Sequence, residues 1–262
     1  MSIVPLNRLK HALRQGQTAV GLILVEIRQP SVMQLLANAG FEFVIIDNEH
    51  GPFNLETIAD LSRTAKQVGL TPLVRSPDTL YPYITQPLDA GAQGLMIPRI
   101  TTAEQVREVV QKMKYPPLGV RGNALALGYM DFKSGPVGEV MAQVNEETLL
   151  VVQVETRAAV ENIDEIVSVP GVDVALIGPN DLSISLGVAG QIDSPPMRAA
   201  IQKTIDACRR HNVTPAIHMN DLDLAVYWAK HGMQMISSHA ETRLLMKAGL
   251  EVTQTIRQAW QD

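Results

Sequence analysis

The chain has one cysteine, Cys208, among 262 residues. A lone thiol can neither close an intrachain disulfide nor furnish a cysteine-rich zinc site, so a reducing compartment is expected and Cys208 reads as a helix-packing residue. No segment is densely basic, and the formal net charge is −5. That leaves no electrostatic footprint for nucleic acid or for an anionic membrane surface. No stretch approaches the roughly 18 apolar residues needed to cross a bilayer. Residues 1–17 are mixed and basic, without the apolar core of an export signal, so the expected location is cytoplasmic. Low-complexity tracts are absent too, which argues against disorder.

What is present suits one large core. The composition is 46% hydrophobic and 19% charged, and about 250 residues is the usual length of a (β/α)₈ barrel. With no linker or shift in composition, residues 1–262 are read as a single barrel domain. Eight short apolar runs alternate with amphipathic stretches, as βα units with a parallel sheet require. The runs are Ala19 to Val25, Phe43 to Asp47, Pro72 to Arg75, Gly94 to Pro98, Leu149 to Glu155, Asp173 to Ile177, Val213 to His218 and Met235 to Ser238. Runs such as Phe43-Val44-Ile45-Ile46 are apolar at every position, which suits strands covered on both faces. Helices are predicted over Leu55 to Val68, Thr102 to Lys114, Ala158 to Val169, Met197 to His211, Asp221 to His231 and Glu241 to Trp260. The segment Tyr115 to Val137 is rich in Gly and Pro and has no clear period; it reads as a functional loop or as one hiding a short helix. The apolar positions of the last helix fit packing on its own barrel or on a neighbour.

In such a barrel the active site forms at the C-terminal ends of the strands. Ionisable and polar residues accumulate there: Asp47 to Gly51 after the second run, Arg75 after the third, Gln153 to Arg157 around the end of the fifth, Gly178 to Ser183 after the sixth, His218 at the seventh, and Ser237-Ser238-His239 at the eighth. Glu155 and Asp181 end neighbouring strands, and two carboxylates completed by water and substrate oxygens suit Mg²⁺ or Mn²⁺. The competing reading makes Glu155 a cap for a helix starting near Thr156, and Asp181 a cap for the turn at Leu182-Ser183.

The ordered motifs Phe41 to Pro52, Pro72-Leu73-Val74-Arg75, Leu88 to Gly94 with Pro98, Tyr115-Pro116-Pro117 with Gly119 and Arg121-Gly122, Gln153-Val154-Glu155-Thr156-Arg157, and Ile177 to Ser183 resemble the HpcH/HpaI class II pyruvate aldolases. The resemblance implies a carbon–carbon lyase that cleaves a 4-hydroxy-2-oxo acid to pyruvate and an aldehyde, using a divalent ion (Mg²⁺, Mn²⁺ or Co²⁺). It implies that Glu155 and Asp181 bind the metal and that Arg75 holds the keto or enolate oxygen. Gln153 would line the pocket, with Gly178, Pro179 and Asn180 around the substrate carboxylate. It makes His50 the catalytic base, with Asp89 orienting it and Asp47 in the same network. A hexamer is implied as well.

The chemistry is consistent with this. Cleavage leaves an enolate whose charge a metal ion and a guanidinium can stabilise, while a histidine near its ordinary pKa can move the proton. A Schiff-base route needs a lysine at a strand end; Lys66, Lys112, Lys114, Lys203, Lys230 and Lys247 fall in predicted helices or at their ends, and Lys133 in the long loop. Three features depart from the family pattern. The stretch Asn123 to Tyr129, expected to border the acceptor aldehyde, lacks basic residues; strand one ends without a tryptophan; and His218 and His239 stand where small or apolar residues are usual. These histidines are expected either to be structural or to shape a different acceptor or reaction. Oxaloacetate decarboxylation, a malyl-CoA-type cleavage with Arg99, Arg107 and Arg121 as a thin basic groove, and a non-catalytic oxo-acid-binding barrel are the alternatives.

Overall fold

A computed structural model describes residues 3–260 and shows eight parallel strands closed in sequence order, β1 pairing with β8. The elements run α1 (Arg8–Arg14), β1 (Ala19–Leu24), α2 (Val32–Asn38), β2 (Phe43–Asp47), α3 (Leu55–Gln67), β3 (Thr71–Arg75), α4 (Tyr81–Ala90), β4 (Gly94–Ile97) and α5 (Ala103–Met113). They continue with α6 (Val137–Glu147), β5 (Leu149–Val154), α7 (Arg157–Glu161), α8 (Ile163–Val167), β6 (Val174–Ile177), α9 (Pro179–Ser185) and α10 (Pro195–His211). The last four are β7 (Thr214–His218), α11 (Leu222–Lys230), β8 (Met235–Ala240) and α12 (Glu241–Gln258). All eight predicted strands are present, because their continuous β-branched runs are covered by helices outside and by packed side chains inside.

Alternation sorts each strand into two faces. Outward residues such as Val44, Ile46, Val152 and Ile217 pack against the helices, whereas Phe43, Ile45, Leu73, Val151, Leu176, Ala216 and Met235 fill the barrel. Leu9 and Leu13 of α1 join the inner cluster, so this short helix closes the barrel at the N-terminal ends of the strands. Phe43 is fully buried in that interior and its register partner on β1 is Gly21. A Cβ on Gly21 would lie 2.5 Å from the Phe43 ring and backbone, so only glycine fits beside it.

Helix boundaries follow local chemistry. The Thr102 side chain accepts from the Gln105 N–H at the start of α5 while Gln105 reaches back, a reciprocal capping box. The single helix expected over Ala158 to Val169 is two, broken at Asn162, whose Nδ2 donates to the Thr101 carbonyl at 2.9 Å. Residues 115–137 carry one 3₁₀ turn, Gly128–Met130, and the buried Tyr115, Tyr129 and Met130 pack with Val140 and Val144 of α6. Helices in this barrel run back from the C-terminal strand ends, so α3 and α5 deliver that segment to the N-terminal end, where Lys66 donates to the Gly128 carbonyl. Its Gly128 to Phe132 part therefore lies at the N-terminal end, away from where the acceptor aldehyde was expected, whereas the Gly122 N–H donates to the Tyr81 hydroxyl at the start of α4 at 2.6 Å.

The last helix, α12, barely touches the barrel. Glu241 is its one buried residue, accepting from the backbone N–H groups of Val25, Glu26 and Ile27 at 2.7 to 3.0 Å. Leu245, Met246, Leu250, Val252 and Ile256 are exposed. Among the described residues no helix is long and apolar enough to cross a membrane.

Candidate active site

The inward face of the barrel changes character one step beyond its apolar filling. Two residues past Ile45 stands Asp47, past Leu73 Arg75, past Val151 Gln153, past Leu176 Gly178, and past Ala216 His218. Period-two alternation aims all of them into the mouth at the C-terminal strand ends. Register places Asp47 opposite Arg75 and His218 opposite Ser237.

Asp47 is the organiser of one side. Arg75 donates through Nε to its Oδ1 at 2.8 Å and through Nη2 to its Oδ2 at 2.5 Å. The backbone N–H groups of Glu49 and His50 donate to the same Oδ1 at 3.0 and 3.2 Å, folding the loop after β2 over the mouth. Burial alone would raise the Asp47 pKa, but Arg75 and these two amides hold it below the usual carboxylate range. Partial burial opposes the charge of half-buried Arg75, but the same pairing, with Glu49 nearby, outweighs it and raises the guanidinium pKa. His50 projects from the loop with its side chain 65% exposed, its Nε2 3.7 Å from Glu49 Oε2.

Glu155 organises the other side. Its Oε1 accepts from the Arg99 backbone N–H at 2.6 Å, and its Oε2 from Gln153 Nε2. Thr156, not Glu155, caps the following helix, and Asp181 lies in the first turn of α9 without capping it. Burial, then the neighbouring Asp181 and Glu49 charges, push the Glu155 pKa above its ordinary value, against the pull of the Arg99 amide. Gln153 is buried, and its Oε1 has no partner among the described residues. A Cβ on Gly178 would fall 2.8 Å from Gln153 Nε2 and 3.2 Å from Glu155 Cβ, so glycine leaves the space that these two side chains occupy.

A divalent ion fits this donor set. Two carboxylates on neighbouring strand ends, one of them buried, supply hard oxygen donors, and no group of three or more protein ligands is found among the described residues. Water and substrate oxygens would complete the shell, as is usual for Mg²⁺ or Mn²⁺.

The structure separates other residues from the set. Asp89 ends α4 at the N-terminal end of the barrel, where Arg121 Nη2 donates to it at 2.6 Å; its expected pairing with His50 does not occur within the chain, and Glu49 is the carboxylate beside His50. The Gly178 N–H, expected to face a carboxylate, donates instead to the Val154 carbonyl at 3.0 Å in the sheet ladder. Pro179 has no N–H, which leaves the amides of Asn180 and Asp181 in the open first turn of α9. Arg99, Arg107 and Arg121 pair separately with Glu49, Glu104 and Asp89, so no common basic groove forms.

Glu49 and Arg99 were the site residues whose part was not foreseen. Arg99 adopts φ +59° and turns both its amide toward Glu155 and its guanidinium toward Glu49. A bulky side chain at positive φ at a strand end is the kind of outlier that marks a functional loop. His218 and His239 are both half-buried; His239 sits at φ +62° with Nδ1 2.8 Å from Ser238 Oγ. A cavity of about 930 Å³ lies at the opposite end, lined by Lys10, Lys114 and Asp173, away from this convergence.

The fold and the polar convergence at its strand ends fit a carbon–carbon lyase, the class that comparison with known proteins supports. The chain belongs to the HpcH/HpaI aldolase/citrate lyase family, whose profile matches residues 22–246. It is 34% identical to 4-hydroxy-2-oxo-heptane-1,7-dioate aldolase of Escherichia coli over 242 residues, 92% of each chain. It is 34% identical to hydroxypyruvate/pyruvate aldolase of Roseobacter denitrificans, over 95% of this chain and 96% of the relative. The crystal structure of the HpcH/HpaI aldolase from Desulfitobacterium hafniense DCB-2 superposes with a TM-score of 0.92 at 34% identity, covering 95% of this chain and 96% of that one.

Proposed function

We propose that this chain reversibly cleaves a 4-hydroxy-2-oxo acid to pyruvate and an aldehyde. The observation that carries the reading is the inward polar layer: Arg75 locked by Asp47 faces the Glu155 and Asp181 side of the mouth, and no lysine belongs to that layer. A divalent ion between Glu155 and Asp181 would polarise the oxo group and offset enolate charge. Arg75 holds the same oxygen, its guanidinium fixed in place before charge develops there. Gln153 keeps Glu155 oriented, and the Asn180 and Asp181 amides receive the substrate carboxylate at the start of α9.

His50 takes the proton from the C4 hydroxyl. The C3–C4 bond breaks, its electrons pass into the pyruvate enolate, and the aldehyde leaves. Protonation at C3 completes pyruvate. Asp47 acts by positioning, since one carboxylate fixes both Arg75 and the loop that carries His50. Asp89, on the far end of its own barrel, could orient His50 only from a second copy of the chain.

Oxaloacetate decarboxylation would use the same enolate and is the second reading. A CoA-ester substrate loses its support with the three separated arginines. The uncovered apolar face of α12 supports a homo-oligomer, a hexamer by family resemblance, with that face on a neighbouring copy; a monomer in sedimentation at micromolar concentration would contradict this. The cytoplasmic location is kept as the reading that composition supports. The direct test of function mixes enzyme, pyruvate and Mn²⁺ with a panel of aldehydes and weighs the products: an adduct of pyruvate plus aldehyde is expected, and none with any aldehyde would refute the proposal.

A further inference from the structure

Arg99 stands two residues beyond β4 and holds φ at +59°. A residue with a Cβ keeps that conformation only where its surroundings impose it. Two contacts do so here, and they leave Arg99 in different directions. Its backbone N–H donates to Glu155 Oε1 at 2.6 Å, just past the end of β5. Because β3 lies between β2 and β4, its guanidinium reaches across one strand end to donate from Nη2 to Glu49 in the loop after β2. Among the described residues Arg99 alone is hydrogen-bonded both to Glu155 and to that loop.

The Glu49 end gives the pair its weight. An ion pair open to water contributes little, and the Arg99 side chain is 68% exposed, but that of Glu49 is only 5% exposed. A carboxylate so far out of water needs donors and cations to replace its hydration. Its Oε2 is shared, 3.4 Å from Arg75 Nη1 and 3.7 Å from His50 Nε2. Glu49 and Glu155 also repel each other across the rim, and Arg99 gives a donor to each. A line of contacts thus runs from Glu155 through Arg99 and Glu49 to Arg75 and His50.

We propose that Arg99 is a positioning residue that couples the two halves of the site, so that a divalent ion held by Glu155 and Asp181 sets the position of the His50 loop. This rests on the reading of those two carboxylates as the ion's ligands. An ion that fixes Glu155 also fixes the peptide that donates to it. With that peptide it fixes the line along which the guanidinium reaches Glu49. Linkage makes the effect reciprocal: cutting the connection at the guanidinium weakens ion binding as well as loosening the loop.

The test uses Arg99→Gly, which takes positive φ readily and keeps the N–H for Glu155 while losing the guanidinium. Mg²⁺ is titrated into chelator-treated protein labelled with ¹⁵N-histidine, with binding measured in parallel by calorimetry. The His50 signal is assigned by its loss in His50→Gln. In wild type that signal should move with the same midpoint as Mg²⁺ binding. In Arg99→Gly, Mg²⁺ should bind about tenfold more weakly and leave the signal in place, and kcat for pyruvate release should fall about tenfold, as when the outer partner of a metal ligand is removed. Arg99→Lys, which keeps a cation for Glu49, should recover part of each. A His50 signal that ignores Mg²⁺ in wild type, one that moves as far in Arg99→Gly, or unchanged Mg²⁺ affinity and kcat in that variant overturns the proposal. Glu155→Gln and Asp181→Asn separate the two levels. If Mg²⁺ binds wild type but not these variants while His50 ignores it, the coupling alone fails. If wild type binds neither Mg²⁺ nor Mn²⁺, or the variants bind equally well, the ion reading fails and takes the coupling with it.

Discussion

Arg75 and Asp47 face each other across β3 and β2 as register partners, joined by two parallel hydrogen bonds of 2.8 and 2.5 Å. One strand pair therefore delivers a guanidinium whose plane is fixed by a carboxylate that also ties down the His50 loop. Preorganisation of this kind is what makes a charge useful at the moment an enolate forms.

Arg75→Lys should test the geometry rather than the charge. A lysine keeps the positive charge but cannot make the forked contact. A fall in kcat of about hundredfold is expected, within the range seen when a preorganised donor is removed. Steady-state kinetics would show it, and a near-normal kcat would mean that charge alone suffices.

Gly178→Ala should damage the site while sparing the barrel. The added Cβ would lie 2.8 Å from Gln153 Nε2, so Gln153 and with it Glu155 must move. Overpacking of this size costs about 1–3 kcal/mol, and activity should drop at least tenfold in protein that still unfolds cooperatively. Unchanged activity would show that Gln153 has room the geometry denies it.

Asp89→Asn should first of all cost stability. Arg121 is buried, stacked 4.8 Å from the Tyr115 ring centroid and 5.5 Å from that of Tyr129, with Asp89 as its carboxylate. Removing that partner strands a buried charge, and with Asp89 partly exposed about 2 kcal/mol is expected. Urea unfolding measures it; an unaltered midpoint would leave Asp89 without its structural role.

Lys114 gives a pH signature. Buried at the N-terminal end, it donates to the carbonyls of Asn145 and Thr148 at 2.6 and 2.9 Å, contacts a neutral amine can make. Burial, then nearby Lys10, lowers its pKa to about 7. From there to the ordinary lysine value of about 10.4 the unfolded chain binds the extra proton, so this group's contribution to stability rises with pH across that window. Relative to Lys114→Met, wild type should therefore gain stability between pH 7 and 10 in urea unfolding. A pH-independent difference would contradict the depressed pKa.

Strands were legible in the sequence because a residue such as Ile45 or Val152 is apolar whichever face it occupies, so buried parallel strands read as unbroken runs. The short helices α1, α2 and α9 were not, since seven residues span too few turns to show a period. In α4 the prolines Pro82 and Pro87 disguise a helix whose packing supplies what its propensity lacks. At the site, the strand-end rule and the motif order pointed to Asp47, Arg75, Gln153, Glu155 and Asp181, which the structure brings to the same end of the barrel. Glu49 and Arg99 escaped because their meeting depends on two loops from non-adjacent strands and on a left-handed turn that no local pattern announces. Asp89, expected beside His50, pairs with Arg121 within the chain, because a motif carries residue identity but not which end of the barrel, or which copy, a residue serves.

The central claim is metal-assisted cleavage at the Glu155 and Asp181 end of the barrel. Its most direct test is pyruvate release from a 4-hydroxy-2-oxo acid, followed before and after EDTA and on adding back Mg²⁺, Mn²⁺ or Co²⁺. Release should stop with the chelator and return with at least one of these ions in wild type, but not in Glu155→Gln or Asp181→Asn. Turnover that ignores EDTA, or a lysine adduct trapped by borohydride with pyruvate, would contradict the account.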